Sequence, residues 1–329
     1  MLTLVTGATG YLGTEVVRLL GERKRPVRAL ARSDAAALRL EDIGVEVARG
    51  DVTGDADQLA RAMAGVERVF HLAGVVAHRR RDEARLRAVN VEGARRLLAA
   101  AATAGVGRVV FTSSVAAVGP APSPKRRLDE RSWLSTDAPP EFRYATSKLA
   151  GERVAQEAAA AGLDVVVVNP GFVIGPGDVN RVSSWTVEEY LRGALRFTVD
   201  GGLSYVDARD VAAGHLLAEQ HGVSGRRYIL TNDEGNLSYR QFFDRIAAVT
   251  GTRRRTLNAP VGLLAPLARA ASALRLGVPT DDQELRSGAH WWYTTAARAR
   301  DELGFTVRPL DETIADTVAW LRADGYHRH

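Results

Sequence analysis

Residues 6–13 read TGATGYLG and set Gly7, Gly10 and Gly13 three apart, directly behind the apolar run LTLVT (2–6). A residue without Cβ adopts the backbone angles of a tight strand-to-helix turn and lets backbone N–H groups approach a phosphate closely. A helix starting there adds the positive end of its dipole, so the stretch reads as a cradle for a pyrophosphate. Such a turn demands a strand entering it, a helix leaving it and a parallel strand beyond.

The chain supplies those parts repeatedly. LTLVT (2–6), VRALA (27–31), VEVA (45–48), RVFHLA (68–73), RVVFTSS (108–114) and DVVVVNP (164–170) are predicted strands, with helical patterns at 15–23, 55–64, 85–104 and 144–161 between them. This alternation predicts an α/β fold: a Rossmann-type doubly wound parallel sheet with a smaller, mostly helical C-terminal substrate-binding region. With 329 residues the chain exceeds what one such core usually needs. Residues 1–170 are expected to form the dinucleotide-binding domain, segment 203–232 to return to it, and 171–329 to be mainly substrate-binding. A short helix at 185–197 and a strand at 227–230 are expected there.

Zero Cys excludes disulfides, thiolate metal sites and cysteine nucleophiles, and fits a reducing, cytoplasmic setting. No His or carboxylate spacing suggests a metal site. The net charge of +5 arises partly from Arg runs at 78–82, 125–127 and 253–255, scattered and without interleaved aromatics. They read as solvated surface, and nucleic acid is not an expected partner. The N-terminus reads as a strand rather than a signal peptide. Segment 259–277 is strongly apolar, but Pro266, Arg269 and Arg275 interrupt it, so it is expected to line the core or a pocket without membrane insertion.

The end of the second strand bears on which dinucleotide fits. A ribose 2′-hydroxyl wants a carboxylate there, a 2′-phosphate an arginine. The sequence ALARSD places Arg32 and Ser33 ahead of Asp34, with Arg28 a weaker second guanidinium. NADP(H) is favoured, and Asp34 keeps NAD(H) open. Asp51 and Val52, after the third strand, are expected near the adenine. Leu72, Ala73 and Gly74 follow the fourth strand, at the sheet edge where such cofactors sit.

In FRYATSKLAG (142–151), Tyr144 and Lys148 stand one helical turn apart on one face. Only three Lys occur in the chain, Lys24, Lys125 and Lys148, so a lysine at this spacing suggests a compact, movable ammonium was required. An ammonium beside a phenol favours phenolate and is expected to bring the tyrosine pKa down toward the working range.

These motifs, with VNVEGARRLL (89–98), VVFTSSVAAVG (109–119), VVNPGFVIGPGD (167–178) and YVDARDVAAGHLLA (205–218), resemble an extended short-chain dehydrogenase/reductase of the NAD-dependent epimerase/dehydratase superfamily. Dihydroflavonol-4-reductase-like and hopanoid-associated epimerase-like members are the most similar. The resemblance implies Tyr144 as catalytic acid/base, Lys148 as its partner and Ser114 as third member, ahead of the neighbouring hydroxyls of Thr112 and Ser113. Asn90 would order the active-site backbone. It further implies cofactor contacts from Gly7, Thr9, Gly10, Tyr11, Leu12, Gly13, Arg32, Ser33, Asp51, Val52, Leu72, Ala73, Gly74, Thr112, Lys148, Pro170, Gly171 and Val173. Substrate contacts are expected from Ser114, Val115, Tyr144, Phe172, Trp185 and Tyr190, with Trp291 and Trp292 as further aromatic candidates. His71 and His215 read as satisfied structural histidines.

Thr112-Ser113-Ser114-Val115 lacks the Asp-Glu of the dehydratases, and a cysteine-dependent epimerase is excluded. Asn169-Pro170-Gly171 and Val118-Gly119 replace the residues that usually hold a sugar nucleotide. The expected activity is therefore an NAD(P)H-dependent carbonyl reductase acting on a small-molecule ketone or aldehyde. An NAD-dependent sugar or sugar-nucleotide epimerase and a non-enzymatic dinucleotide sensor are the alternatives. The resemblance also implies a homodimer, through the helices at 85–104 and 144–161 that dimerise many relatives.

Overall fold

The computed structural model describes residues 1–274 and 282–324, so Arg275 of the apolar segment lies outside the described residues. The first half runs β1 (Leu2–Thr6), α1 (Tyr11–Glu22), β2 (Val27–Ala31), α2 (Asp34–Glu41), β3 (Glu46–Arg49), α3 (Ala56–Met63), β4 (Val66–His71), α4 (Glu83–Arg87), α5 (Ala94–Thr103), β5 (Arg108–Thr112), α6 (Arg143–Ala160) and β6 (Val165–Pro170). There follow β7 (Phe172–Ile174), α7 (Trp185–Arg192), β8 (Phe197–Thr198), β9 (Gly202–Asp207), α8 (Ala208–His221) and β10 (Arg227–Leu230). The chain closes with β11 (Asn236–Ser238), α9 (Tyr239–Thr250), β12 (Leu257–Asn258), α10 (Val261–Ala273), α11 (Asp282–Gly288), β13 (Trp291–Trp292), α12 (Ala297–Leu303) and α13 (Leu310–Ala323).

Seven strands form one parallel sheet in the order β10-β6-β5-β4-β1-β2-β3. Apart from the edge strand β3, its strands are largely buried on both sides, and alternate residues feed opposite layers. Val5, Phe70, Val110, Val166 and Val168 pack toward Val16 and Leu20 of α1 and Leu216 of α8. Leu4, Val69, Val109, Val165 and Val167 pack toward Leu59 of α3, Leu97 of α5 and Val154 of α6. The order reverses between β1 and β4, so their carboxyl ends open a crevice at that switch point.

The return to this sheet runs through α8 and β10. β9, within the segment expected to return, instead pairs with β7, β11 and β13 in a second sheet. At the free edge of β10 the Ile229 N–H donates to Glu130 Oε1 at 3.0 Å, and Arg298 Nη1 donates to the Arg227 carbonyl at 3.2 Å. Side chains thus satisfy backbone groups that a further strand would otherwise pair.

Two predicted helices differ from expectation. Helix 85–104 is interrupted by a π-helical stretch, Ala88–Gly93, which widens the turn around Asn90. Within 259–277, residues 259–262 line a pocket and α10 buries Ala265 and Ala268, while Leu263, Leu267 and, just past the helix, Leu274 are more than 60% exposed, so the expected lining of core or pocket holds for the small residues and not for these leucines. Its small-residue face packs inward. Among the described residues no helix is long and apolar enough to cross a membrane.

Candidate active site

The glycine turn sits at the carboxyl end of β1, and each glycine has a separate constraint. Gly7 has φ +73°, and a Cβ there would lie 2.7 Å from the Ala73 nitrogen, where the chain leaves β4. A Cβ at Gly13 would overlap the Gly7 carbonyl oxygen. At Gly10 such a Cβ has, among the described residues, that same oxygen at 3.1 Å as its only close neighbour, so the turn is open on this side. Gly10 is also the N-cap of α1 and supplies no side-chain cap. Next to it the Tyr11 hydroxyl is buried with no hydrogen-bond partner among the described residues. Burial and the neighbouring Asp178 and Asp207 carboxylates push its pKa up, keeping the phenol a donor.

At the exit of β5 three successive hydroxyls take three different partners. Thr112 Oγ1 is 2.9 Å from His215 Nε2, and Ser113 Oγ donates to Glu152 Oε2 at 2.5 Å. The Ser114 hydroxyl accepts from the Ala116 N–H at 3.1 Å and faces the Tyr144 phenol, whose pKa it pulls down. Of the three, Ser114 alone meets Tyr144.

Lys148, one turn along α6 from Tyr144, is buried and donates from Nζ to the Thr112 carbonyl at 2.8 Å. Burial lowers its pKa to about 8, with the Glu152 carboxylate acting in the opposite direction. The expected descent of the Tyr144 pKa does not occur in this structure. Burial pushes it up, the facing Ser114 hydroxyl offsets part of that rise, and the ammonium is engaged by the strand exit instead. Tyr144 is consequently a neutral phenol near neutral pH.

Asn90 braces the site. Its Oδ1 accepts from the Val75 N–H at 2.8 Å, while Nδ2 donates to the Val75 carbonyl at 3.0 Å and to Ser147 Oγ at 2.9 Å. The loop after β4, carrying Leu72, Ala73 and Gly74, is thereby tied to α6. Gly74 lies close to both: a Cβ there would sit 3.4 Å from Asn90 Oδ1 and 3.7 Å from Lys148 Nζ. His71, buried behind this loop, bonds Thr6 Oγ1 at 2.8 Å, and its pKa falls to about 3. His215 is likewise buried, with a pKa of about 4.

At the end of β2, Arg32 is exposed and has no ion pair among the described residues, whereas Asp34 pairs with Arg49 at 2.7 Å. Ser33 Oγ caps α2 by accepting from the Ala36 N–H. Arg28 is not available as a phosphate reader: it is paired with Glu46 at 2.7 Å and donates to the Ala62 and Ala64 carbonyls. Asp51 folds back onto Thr53, and the Val52 side chain, expected beside the adenine, is buried in the core against Gly93.

Several expected pocket residues are structural. Tyr190 is 1% exposed, stacks on Phe243 at 4.8 Å and accepts from the Arg254 N–H, so it belongs to the C-terminal core. Val115 packs with Val118 and Ile229. Phe172 stands edge-on to Tyr205 and leans on the same C-terminal core. Trp292 is buried edge-on to Phe142 and donates from Nε1 to the Ser287 carbonyl, while Trp291 meets Tyr293. Trp185 is half-buried at the start of α7. Pro170 ends β6, Gly171 fits closely against the Ser204 carbonyl, and Val173 leans on the main core. Among the described residues no group of three or more His, Asp or Glu is placed to hold a metal ion.

Residues 3–231 match the NAD dependent epimerase/dehydratase family. The chain belongs to this family. It is 35% identical to a putative dihydroflavonol 4-reductase of Synechocystis sp., over 98% of this chain and 95% of the relative. It is also 35% identical to sterol demethylase protein B of Methylococcus capsulatus, over 99% of both chains. The solved structure of UDP-glucose 4-epimerase from Thermus thermophilus in complex with NAD is 22% identical, covers 98% of this chain and 99% of its own, and superposes with a TM-score of 0.78. That likeness is one of fold. Family membership makes the protein an NAD(P)-dependent oxidoreductase of the extended short-chain type. The residues fit the dinucleotide: the turn is open at Gly10, the first turn of α1 lacks a side-chain cap, and Gly74 leaves room beside Lys148.

Proposed function

We propose that the protein is a carbonyl reductase using NADPH, with a ketone or aldehyde as substrate and Ser114, Tyr144 and Lys148 as its working groups. One observation carries this reading: of the three hydroxyls at the exit of β5, Ser114 is the one that acts on the Tyr144 phenol, while those of Thr112 and Ser113 are engaged by His215 and Glu152. When bound, the reduced nicotinamide supplies a hydride to the carbonyl carbon. Tyr144, kept neutral by burial, donates its proton to the oxygen on which charge builds. The Ser114 hydroxyl offers that oxygen a second hydrogen bond, and stabilisation of developing charge is where an enclosed donor is worth most. Lys148 places an ammonium beside Gly74, on the side of the crevice that the nicotinamide ribose would occupy.

The exposed Arg32, free of an ion pair among the described residues, and the Asp34 already paired with Arg49 support a 2′-phosphate over a 2′-hydroxyl. The relative named a putative dihydroflavonol 4-reductase supports reduction as the direction.

The test is a fluorescence titration of dinucleotide-stripped protein with NADPH and NADH, followed by turnover of a panel of ketones and aldehydes. NADPH binding well above NADH binding, with net NADPH oxidation, is the expected result. Retained NAD with no net turnover would replace this reading with the epimerase one.

A further inference from the structure

A buried carboxylate stands between the active site and the sheet edge. Glu152, two helical turns beyond Tyr144 and one beyond Lys148 on α6, is 0% exposed. Its Oε2 accepts from Ser113 Oγ at 2.5 Å and from Asn169 Nδ2 at 2.8 Å, and the same Asn169 amide donates to the Ser114 carbonyl at 3.0 Å. Oε1 meets Arg227 Nε at 2.8 Å. Arg227 reaches inward from β10, is 3% exposed, donates to the Ser132 carbonyl at 3.0 Å and stacks 3.9 Å from the Trp133 ring centroid.

We infer that Glu152 is a positioning residue of the active site: anchored by Arg227 at the sheet edge, its carboxylate holds the Ser113–Ser114 backbone and the Lys148 ammonium in place opposite Tyr144. This rests on the proposed role of Lys148. The arrangement alternates in sign, Lys148 positive, Glu152 negative, Arg227 positive, and a buried charge persists only when so partnered. Groups facing Lys148 come from three elements. β5 presents the Thr112 carbonyl, β4 presents His71, which is neutral, and α6 itself presents Tyr144, also neutral, and Glu152. Glu152 is therefore the anion that keeps Lys148 charged. Burial pushes the Glu152 carboxyl up, and Arg227, beyond it, is the strongest of the groups that oppose that rise, with Glu130 and Arg298 as its own charged neighbours.

The three-lysine composition gives a direct test that needs no substrate. Lysine labelled at Cε gives three resonances, those of the exposed Lys24 and Lys125 being assigned through Lys24→Arg and Lys125→Arg. Removing Glu152 alone strands the Arg227 charge, so the pair is replaced together, Glu152→Gln with Arg227→Met. The Lys148 midpoint is expected near the value of about 8 to which burial lowers it in the native chain. In the pair variant it should fall by roughly one further pH unit, as for loss of an opposite charge at short range. An unchanged Lys148 midpoint overturns the inference. If the pair variant does not fold, Glu152→Asp, which withdraws the charge by one methylene, must still lower the midpoint. The pH above which NADPH binding weakens should fall in parallel. A Lys148 shift without that change would leave the positioning intact and refute the role proposed for Lys148 instead.

Discussion

Gly151 of α6 meets the widened turn at Asn90 so closely that a Cβ built on it would overlap the Asn90 carbonyl oxygen. The π-helical stretch pushes that carbonyl outward, and only a glycine lets α6 pass. Gly151→Ala should force the two helices apart at the point where Asn90 ties Val75 to Ser147. Overpacking of this kind costs about 1–3 kcal/mol. Thermal unfolding should show a lower midpoint, and NADPH affinity should drop as the loop carrying Gly74 loosens. An unchanged midpoint would show that the helices yield at no cost.

Arg32→Gln removes a guanidinium without disturbing any ion pair among the described residues. Hydrogen bonds to charged groups contribute about 1.5–3 kcal/mol, so NADPH affinity should fall roughly tenfold or more while NADH affinity stays level. Parallel titrations of both dinucleotides check this. Equal losses for the two would remove Arg32 from phosphate recognition.

Tyr144→Phe deletes the proposed proton donor but leaves the packing of α6 intact. Loss of a general acid typically slows a reaction about 10²–10⁴-fold, and that fall should appear in kcat/KM with NADPH binding preserved. Full activity in the variant would refute the proposed proton transfer.

His71 and His215 are buried neutral, with pKa values lowered to about 3 and about 4. The unfolded chain therefore binds more protons than the folded one between those values and about pH 6.5, so their contribution to stability is present above about pH 6.5 and lost as the pH falls through the folded values. Melting curves from neutral to acidic pH should show a declining midpoint. His71→Asn should flatten that decline, and an identical slope in the variant would assign the acid sensitivity to carboxylates alone.

Local signals made much of this readable in advance. The glycine turn, the valine-rich strands and the Tyr144–Lys148 spacing each depend on residues near in sequence, and the sheet follows from their alternation. Residue type could not say which of Thr112, Ser113 and Ser114 meets Tyr144 in space, because that depends on His215 and Glu152 arriving from α8 and α6. Glu152 was within reach of sequence reasoning, since it follows Lys148 by four on the same helical face. Its partner Arg227 lies 75 positions away, and their meeting depends on β10 joining the sheet beside β6. Tyr190 misled because an aromatic on an amphipathic helix looks the same whether it faces a pocket or a core. The π-helical turn interrupts a stretch whose apolar pattern reads as one continuous helix.

The main sheet also has consequences beyond chemistry. Its outermost strand offers an arriving chain no ready ladder: Glu130 and Arg298 already occupy the Ile229 N–H and the Arg227 carbonyl, and displacing them would strand two charges. The opposite margin, β3, shows the exposed and charged Glu46 and Arg49, each already in an ion pair. Neither border favours growth into fibrils, so crowded copies that stick together should do so through helices and loops, leaving each sheet a closed unit of seven strands.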